Sequence, residues 1–436
     1  MLKLAESLAA KLCLYTLRSY QDFNGNKCME VFISLFGMLC LMGLAVALSE
    51  NRKAINLRTV LGALAFQVAF GAFVMYVPMG QAVLDGASNG VMHVIGYANE
   101  GLTFLFGDLA KFGVGFIFVI NVLFVVVFIS ALIAVLYYLG IMQLVIGLIG
   151  GGLSKLLGSS RAESLSATAN IFVGPIEAPS MVRPFVKHMT RSELFAVMTG
   201  GLASVAGGTM IGYIQMGVDV KYVLTAAFMT APAGLLFAKL MWPETETPTN
   251  DIKKVMDDVE DKPANVLDAA AGGAAMGMQQ VLSVSALLLA FVALIAMVNG
   301  MLGGIGGWFG IEDLTMQAIL GYLLAPLAWV MGVPWSEATQ AASFIGQKMV
   351  INEFVAYIDF LKVADQLSEK TQIIISFALC GFANIGSLAM VIGGLAALCP
   401  ERRHDLSALG MKALIAAALA NLMSGTIAGL LYSLAG

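Results

Sequence analysis

The stretch FIGQKMVINEFVAY, residues 344 to 357, sets Lys348, Asn352 and Glu353 inside an otherwise apolar segment interrupted at Gly346. A carboxylate at bilayer depth costs about 2.5 to 3.5 kcal/mol on insertion scales, so it lines a cavity or meets a partner rather than facing lipid. A second stretch, ANIFVGPIEAP at 169 to 179, repeats the arrangement, with Glu177 close behind Gly174 and Pro175 and just before Pro179. Each stretch is followed by a long apolar helix interrupted at its middle. Broken hydrophobic segments at corresponding places in two halves mark a substrate site at a repeat interface, and the doubled pattern reads as a transporter.

Composition agrees. With 59% hydrophobic and 12% charged residues and a mean hydropathy of +0.86, most of the chain belongs in a bilayer. The fold class expected is an all-α polytopic membrane protein. The net charge of -4 is spread thinly, which leaves no basic patch for nucleic acid. Cys13, Cys28, Cys40, Cys380 and Cys399 are scattered without metal or redox spacing and read as unpaired.

Apolar runs at 31 to 49, 59 to 78, 114 to 138, 194 to 217, 222 to 242, 279 to 301, 372 to 396 and 408 to 434 give eight expected transmembrane helices. The moderately apolar stretch 79 to 111, rich in Gly and Asn, suits an interfacial or re-entrant helix. After the third span a Gly-rich turn should lead into a surface helix, because no charge occurs between Lys111 and Lys155. Residues 314 to 333 are ambiguous between a span and an in-plane helix because of Pro326. The polar interval 243 to 267, with prolines at 243, 248 and 263, reads as a solvated loop. An N-terminal extension, 1 to 30, carries Lys3, Glu6, Lys11 and Arg18, which break any signal-peptide core.

If the first span runs inward, every arginine except Arg18 falls in the loops 50 to 58, 155 to 191, 243 to 267 and 398 to 407, on the cytoplasmic side. Both termini are then outside. The Glu177 hairpin enters from the cytoplasm and the Glu353 hairpin from outside, so the halves are inverted. The residues carry the repeat as well: Gly201-Leu-Ala-Ser204-Val-Ala-Gly207 resembles Gly381-Phe-Ala-Asn384-Ile-Gly-Ser387, and Phe172-Val-Gly174 resembles Phe344-Ile-Gly346. The division expected is scaffold and interfacial helices at 31–154, the first half of a transport domain at 155–242, the loop 243–267, a scaffold and connecting helix at 268–335, and the second half of the transport domain at 336–436.

Gly174, Pro175 and Pro179 cannot sustain a regular helix, so backbone carbonyls are left free in the first hairpin. Those carbonyls, the Asn170 amide oxygen and the Ser204 hydroxyl are hard oxygen donors of the sort a sodium ion needs. In the second hairpin Lys348 and Glu353 are spaced so that an internal pair can form. Asn384 and Ser387, at i and i+3, share a helix face. Two carboxylates, an amide and hydroxyls around one cavity suit a neutral polyhydroxyl solute. Ser204, Asn384 and Ser387 also suit plain interhelical hydrogen bonding, Thr209 either lines the site or bonds back within its helix, and His188 reads as part of a cytoplasmic basic surface.

From about residue 30 onward the chain resembles the concentrative nucleoside transporter family, in particular its bacterial members. The most specific marker is Gly346-Gln-Lys348-Met-Val-Ile-Asn352-Glu353-Phe354-Val355-Ala356, which matches the signature G-x-K-x-x-x-N-E-F-V-A. SRAES at 160 to 164, NIFVG at 170 to 174, EAP at 177 to 179, RPF at 183 to 185 and CGFAN at 380 to 384 support it. The resemblance implies a homotrimer in the bacterial inner membrane, each protomer with eight transmembrane helices and two re-entrant hairpins of opposite orientation. It implies sodium-coupled nucleoside uptake by an elevator-like motion, with no cofactor beyond the coupling ion. It assigns the base to Pro175, Ile176 and Glu177, the ribose to Glu353, Asn384 and Ser387, packing against the solute to Phe382, and sodium to the side chains of Asn170 and Ser204 with the carbonyls of Val173 and Val205.

One departure bears on specificity. The family reads G-Q-T-E-A-P in the first hairpin, where this chain has Gly174-Pro175-Ile176-Glu177-Ala178-Pro179. Two residues that would hydrogen-bond the base are replaced by residues without a polar side chain, which loosens or redirects base choice. Other readings include proton coupling and another ribosyl or small polar solute. A carboxylate transporter would need Lys348 as its deep cation, against two nearby acids. An intramembrane enzyme built on Glu177 and Glu353 finds no histidine cluster, metal spacing or GxSxG serine to support it.

Overall fold

The computed structural model describes residues 25–110, 117–174, 183–248, 263–310 and 314–435, and every regular element among them is helical. The first three helices are α1 (Gly25–Ala47), α2 (Leu57–Tyr76) and α3 (Pro78–Phe106). Next come α4 (Val125–Tyr138), continuous with a π-helical turn at Val119–Leu123, and α5 (Ile141–Leu157). Gly140, at φ 79°, makes the turn between them in a conformation that favours glycine. Then follow α6 (Arg161–Ala169), the single turn α7 (Arg183–Val186), the half-helices α8 (Arg191–Ala203) and α9 (Gly207–Met216), and α10 (Val220–Met241).

The remaining helices repeat that order. A long α11 (Val266–Trp308) is followed by α12 (Met316–Val330), the hairpin arms α13 (Trp335–Val350) and α14 (Glu353–Val363), the half-helices α15 (Glu369–Leu379) and α16 (Ile385–Leu398), and α17 (Arg403–Ala435). Among the described residues seven helical stretches are long and apolar enough to cross a membrane, and all seven fall on expected spans. The expected span 372–396 is the pair α15 and α16. The ambiguous stretch 314–333 folds back on the second hairpin, α12 turning into α13 through 116°. Two glycines allow that close approach: a methyl on Gly321 would lie 2.6 Å from the Thr339 carbonyl oxygen, and one on Gly346 2.7 Å from Leu320 Cβ. Helix α11 is much longer than the run 279 to 301 suggested, because the small residues of its first turns continue the helix.

Burial separates an interior from a periphery. The best apolar window is wholly buried in Arg191–Met216 and 94% buried in both α10 and Pro400–Ala435, against 17% in α11 and 28% in α1. Large side chains such as Phe104, Leu267 and Leu289 stand exposed on the peripheral helices. With lipid as apolar as Leu, helices associate through close packing and interhelical hydrogen bonds rather than through the hydrophobic effect. Gly425 and Gly429 bring α17 against Ile374 of α15, and Gly273 and Gly277 bring α11 against α4. Gln67 of α2 donates to Ser424 of α17 at 2.9 Å.

Reciprocal caps fix the starts of α6 and α8, Ser160 with Glu163 and Thr190 with Glu193. The buried Glu163 carboxylate also pairs with Lys239, whose ammonium donates to Ser192 Oγ at 2.7 Å. Arg402 donates to the Met189 carbonyl at 2.8 Å, and Arg191 meets Asp405 at 2.8 Å, tying the loop before α17 to the start of α8. His188 is exposed beside this cluster.

Candidate solute and ion site

The two broken helices cross at their breaks. Helix α8 ends at Ala203 and α15 at Leu379, so the carbonyl ends of both half-helices converge. Phe382 N–H donates to the Ser204 carbonyl at 3.0 Å. Gly381, at φ 147°, has no room for a side chain: one would run into the Ala203 carbonyl and the Asn421 amide. The Asn421 amide donates to the Ala203 carbonyl at 2.6 Å and to the Cys380 carbonyl at 3.1 Å. Backbone groups freed by the breaks are thereby met inside the protein, as a lipid environment requires.

On the second-repeat side of the crossing, Glu353 opens α14 and is 3% exposed. The positive end of that helix favours a carboxylate there. Asn352 caps the same helix, accepting from Val355 N–H at 3.0 Å. Asn384 caps α16: its amide oxygen accepts from Ser387 N–H at 2.7 Å while its amide nitrogen donates to the Glu353 carboxylate at 2.8 Å. Glu353, Asn384 and Ser387 are therefore brought together, with Phe382 on the same break. Tyr213 of α9, fully buried, lies beside Glu353 and packs on Tyr357 with ring centroids 4.8 Å apart. Thr209 is buried one turn earlier on α9.

On the first-repeat side, Asn170 closes α6 and is 1% exposed, and neither polar atom of its side chain has a hydrogen-bond partner among the described residues. Gly200 of α8 lies against it, a methyl there falling 3.4 Å from Asn170 Nδ2. The Ser204 hydroxyl donates to the Gly201 carbonyl at 3.2 Å, and Val173 and Val205 are buried nearby. Gly207 N–H donates to the Phe172 carbonyl at 3.1 Å, joining the first hairpin to the break. A buried polar atom without a partner costs about 1 to 3 kcal/mol, and an oxygen-seeking cation offsets that cost at the amide oxygen. The donor set fits sodium. Pro175, Ile176 and Glu177 lie outside the described residues.

A cavity of ≈ 940 Å³ reaches this region. Phe172, Val173, Ala206 and Gly208 line its inner end, and Gln143 and Asp268 line it toward the start of α11.

Two sequence expectations are corrected. Lys348 does not pair with Glu353 among the described residues: it donates to the Ala378 carbonyl and to Asn421 Oδ1, each at 2.7 Å. Ser204 and Asn384, matched in the sequence repeat, are not equivalent. Ser204 is the first residue after α8, whereas Asn384 is the last before α16 and caps it. Sequence reasoning also missed Tyr213 and Asn421. For Tyr213 the i, i+4 spacing from Thr209 was an available signal, but nothing local marks Asn421, which sits in the apolar interior of α17.

Broken half-helices, a buried carboxylate–amide pair and an amide without a partner among the described residues meet around one crossing, an arrangement that suits a membrane transporter. Family models for the N-terminus and the C-terminus of Na+ dependent nucleoside transporters match residues 36–109 and 222–429, and a nucleoside-recognition gate model matches 119–219. The chain is 56% identical over 414 residues to an uncharacterized transporter of Haemophilus influenzae, covering 93% of this chain and 99% of that protein. It is 48% identical over 418 residues to the nucleoside permease NupC of Helicobacter pylori, with 93% and 99% covered. The solved structure of the transporter CNTnw in an inward-facing substrate-bound state matches with a TM-score of 0.90 at 58% identity, covering 94% of this chain and 99% of that one. The protein belongs to the Na+-dependent nucleoside transporter family.

Proposed function

We propose that the protein is a sodium–nucleoside symporter of the bacterial inner membrane, with both termini periplasmic, working as a homotrimer through an elevator-like motion. The observation that carries the reading is the Asn384–Glu353 pair on one side of the crossing, with the orphaned Asn170 amide on the other. Glu353, Asn384 and Ser387 grip the ribose hydroxyls while Phe382 packs on the solute. Asn170 and Ser204, with the carbonyls of Val173 and Val205, hold the ion. Pro175, Ile176 and Glu177 face the base, and Thr209 lines the site.

The burial contrast supports a mobile interior and a fixed periphery. On this reading, residues 155–242 and 336–436 are the two halves of the transport domain and the helices of 31–154 and 268–335 form the scaffold. The exposed apolar faces of the scaffold then meet lipid and neighbouring protomers. Loop 243–267 and the start of α11 lie on the cytoplasmic side, so the cavity reaching Val173 and Ala206 is an inward-facing exit path. The CNTnw structure, solved inward-facing with substrate bound, supports alternating access.

The apolar side chains of Pro175 and Ile176 leave the base less strictly selected, so purine and pyrimidine nucleosides compete more evenly. Uptake of labelled adenosine, uridine and ribose into proteoliposomes, under sodium or proton gradients, tests the reading. Sodium-driven accumulation of nucleosides but not ribose is expected; uptake driven by protons alone, or no nucleoside uptake, contradicts it.

A further inference from the structure

Lysine is costly at bilayer depth and rarely stays there without a partner. Three lysines are buried among the described residues and are partnered differently: Lys239 pairs with the Glu163 carboxylate and Lys370 with Glu30 at 3.1 Å, whereas Lys348 makes no ion pair within the described residues and is held by two neutral oxygens. One is the Ala378 carbonyl, one residue before the end of α15, and the other is Asn421 Oδ1. A helix C-terminus carries roughly half a negative charge, which a cation stabilises. Here two such ends, of α8 and α15, converge at one crossing inside the protein, and Asn421 bridges them.

The placement in the two repeats is parallel. Asn170 closes α6, the first arm of the first hairpin, and lies against Gly200 near the end of α8. Lys348 stands in the last turn of α13, the first arm of the second hairpin, and bonds near the end of α15. The first position is an amide lacking a partner among the described residues, and the second is a buried ammonium.

We propose that Lys348 is the built-in cation of the second repeat, a positioning residue that brings to the end of α15, as part of the chain, the charge that sodium supplies from outside at the end of α8. It fixes Ala378 and, through Asn421, the path Cys380-Gly381-Phe382 that leads to Asn384, and so sets where Asn384 meets Glu353. This rests on the ion and ribose assignments above.

Lys348→Met, near in length and uncharged, and Lys348→Arg, which keeps the charge, separate charge from packing. In proteoliposomes the Met variant should raise the nucleoside KM about tenfold, the scale of a buried helix-end charge. Its half-saturating sodium should stay within about twofold of wild type, and Arg should recover most of the loss. A Met variant with wild-type nucleoside KM, nucleoside and sodium constants that worsen together, or Arg no better than Met would each overturn the proposal. Should the Met variant not fold, Asn421→Leu carries the test: the same nucleoside-selective rise supports it and an unchanged KM overturns it. Wild-type vesicles show separately whether sodium-driven nucleoside uptake exists at all. If it does not, thermal melting of detergent-purified Lys348→Met still decides: wild-type-like stabilisation by added sodium supports a separate second-repeat cation, and its loss overturns it.

Discussion

At the end of α8 the buried Asn170 amide has no partner among the described residues, whereas at the end of α15 the Lys348 ammonium and the Asn421 side chain answer each other and the surrounding carbonyls. The two places hold matching steps in the same order of helices, yet one is left open and the other closed. An incomplete polar site inside a membrane protein is held at an energetic cost, so it persists where something from outside completes it. Under the proposed assignment, the open place is that of the exchangeable ion and the closed one is rigid support. On the proposed reading, the carboxylate–amide pair sits on the closed side because a grip on a neutral solute needs its groups fixed beforehand.

The comparison breaks most severely if the crossing itself is disturbed. Gly381→Ala places a carbon against the Ala203 carbonyl at a backbone angle that only glycine takes easily. It should destabilise the fold by about 3 kcal/mol, read as a lower melting temperature and a sharp loss of assembled protein. Glu353→Gln keeps the shape and removes the charge on the side proposed to hold the solute. Losing a charge-assisted hydrogen bond of about 1.5 to 3 kcal/mol should weaken nucleoside binding roughly ten- to a hundredfold, measured by titration calorimetry, with folding retained. The smallest effect is expected from Pro175→Gln with Ile176→Thr, which puts polar side chains at the positions proposed to face the base. The ratio of uridine to adenosine uptake should change by up to about tenfold while sodium dependence stays as it was.

Much of this architecture was legible in the sequence because lipid enforces it. Apolar runs of spanning length located the long helices among the described residues, and the polar cluster Lys348, Asn352 and Glu353 marked the turn between α13 and α14. The union of Glu353, Asn384 and Ser387 followed from the signature and from i, i+3 spacing, and the coordinates place the three together. Less legible was anything decided by contacts between distant segments. The partners of Lys348 lie thirty and seventy-three positions away, at Ala378 and Asn421, and no local pattern announces them. The spacing allowed a pair with the nearer Glu353, yet the chain turns at Ile351 and Asn352, and the direct hydrogen bonds of Lys348 go to Ala378 and Asn421 while Glu353 accepts from Asn384. Likewise, matching Ser204 with Asn384 by sequence missed that the second break is longer than the first.

The division of labour between the repeats is tested most directly by titrating sodium and nucleoside against purified Asn170→Ala and Glu353→Gln side by side. Asn170→Ala should raise the sodium needed for half-maximal nucleoside binding about tenfold, as expected for one lost charge-assisted contact, yet keep nucleoside affinity at saturating sodium within about twofold. Glu353→Gln should do the reverse. If both variants shift both ligands to the same extent, or if Asn170→Ala leaves the sodium requirement unchanged, ion and solute are not divided between the repeats as described.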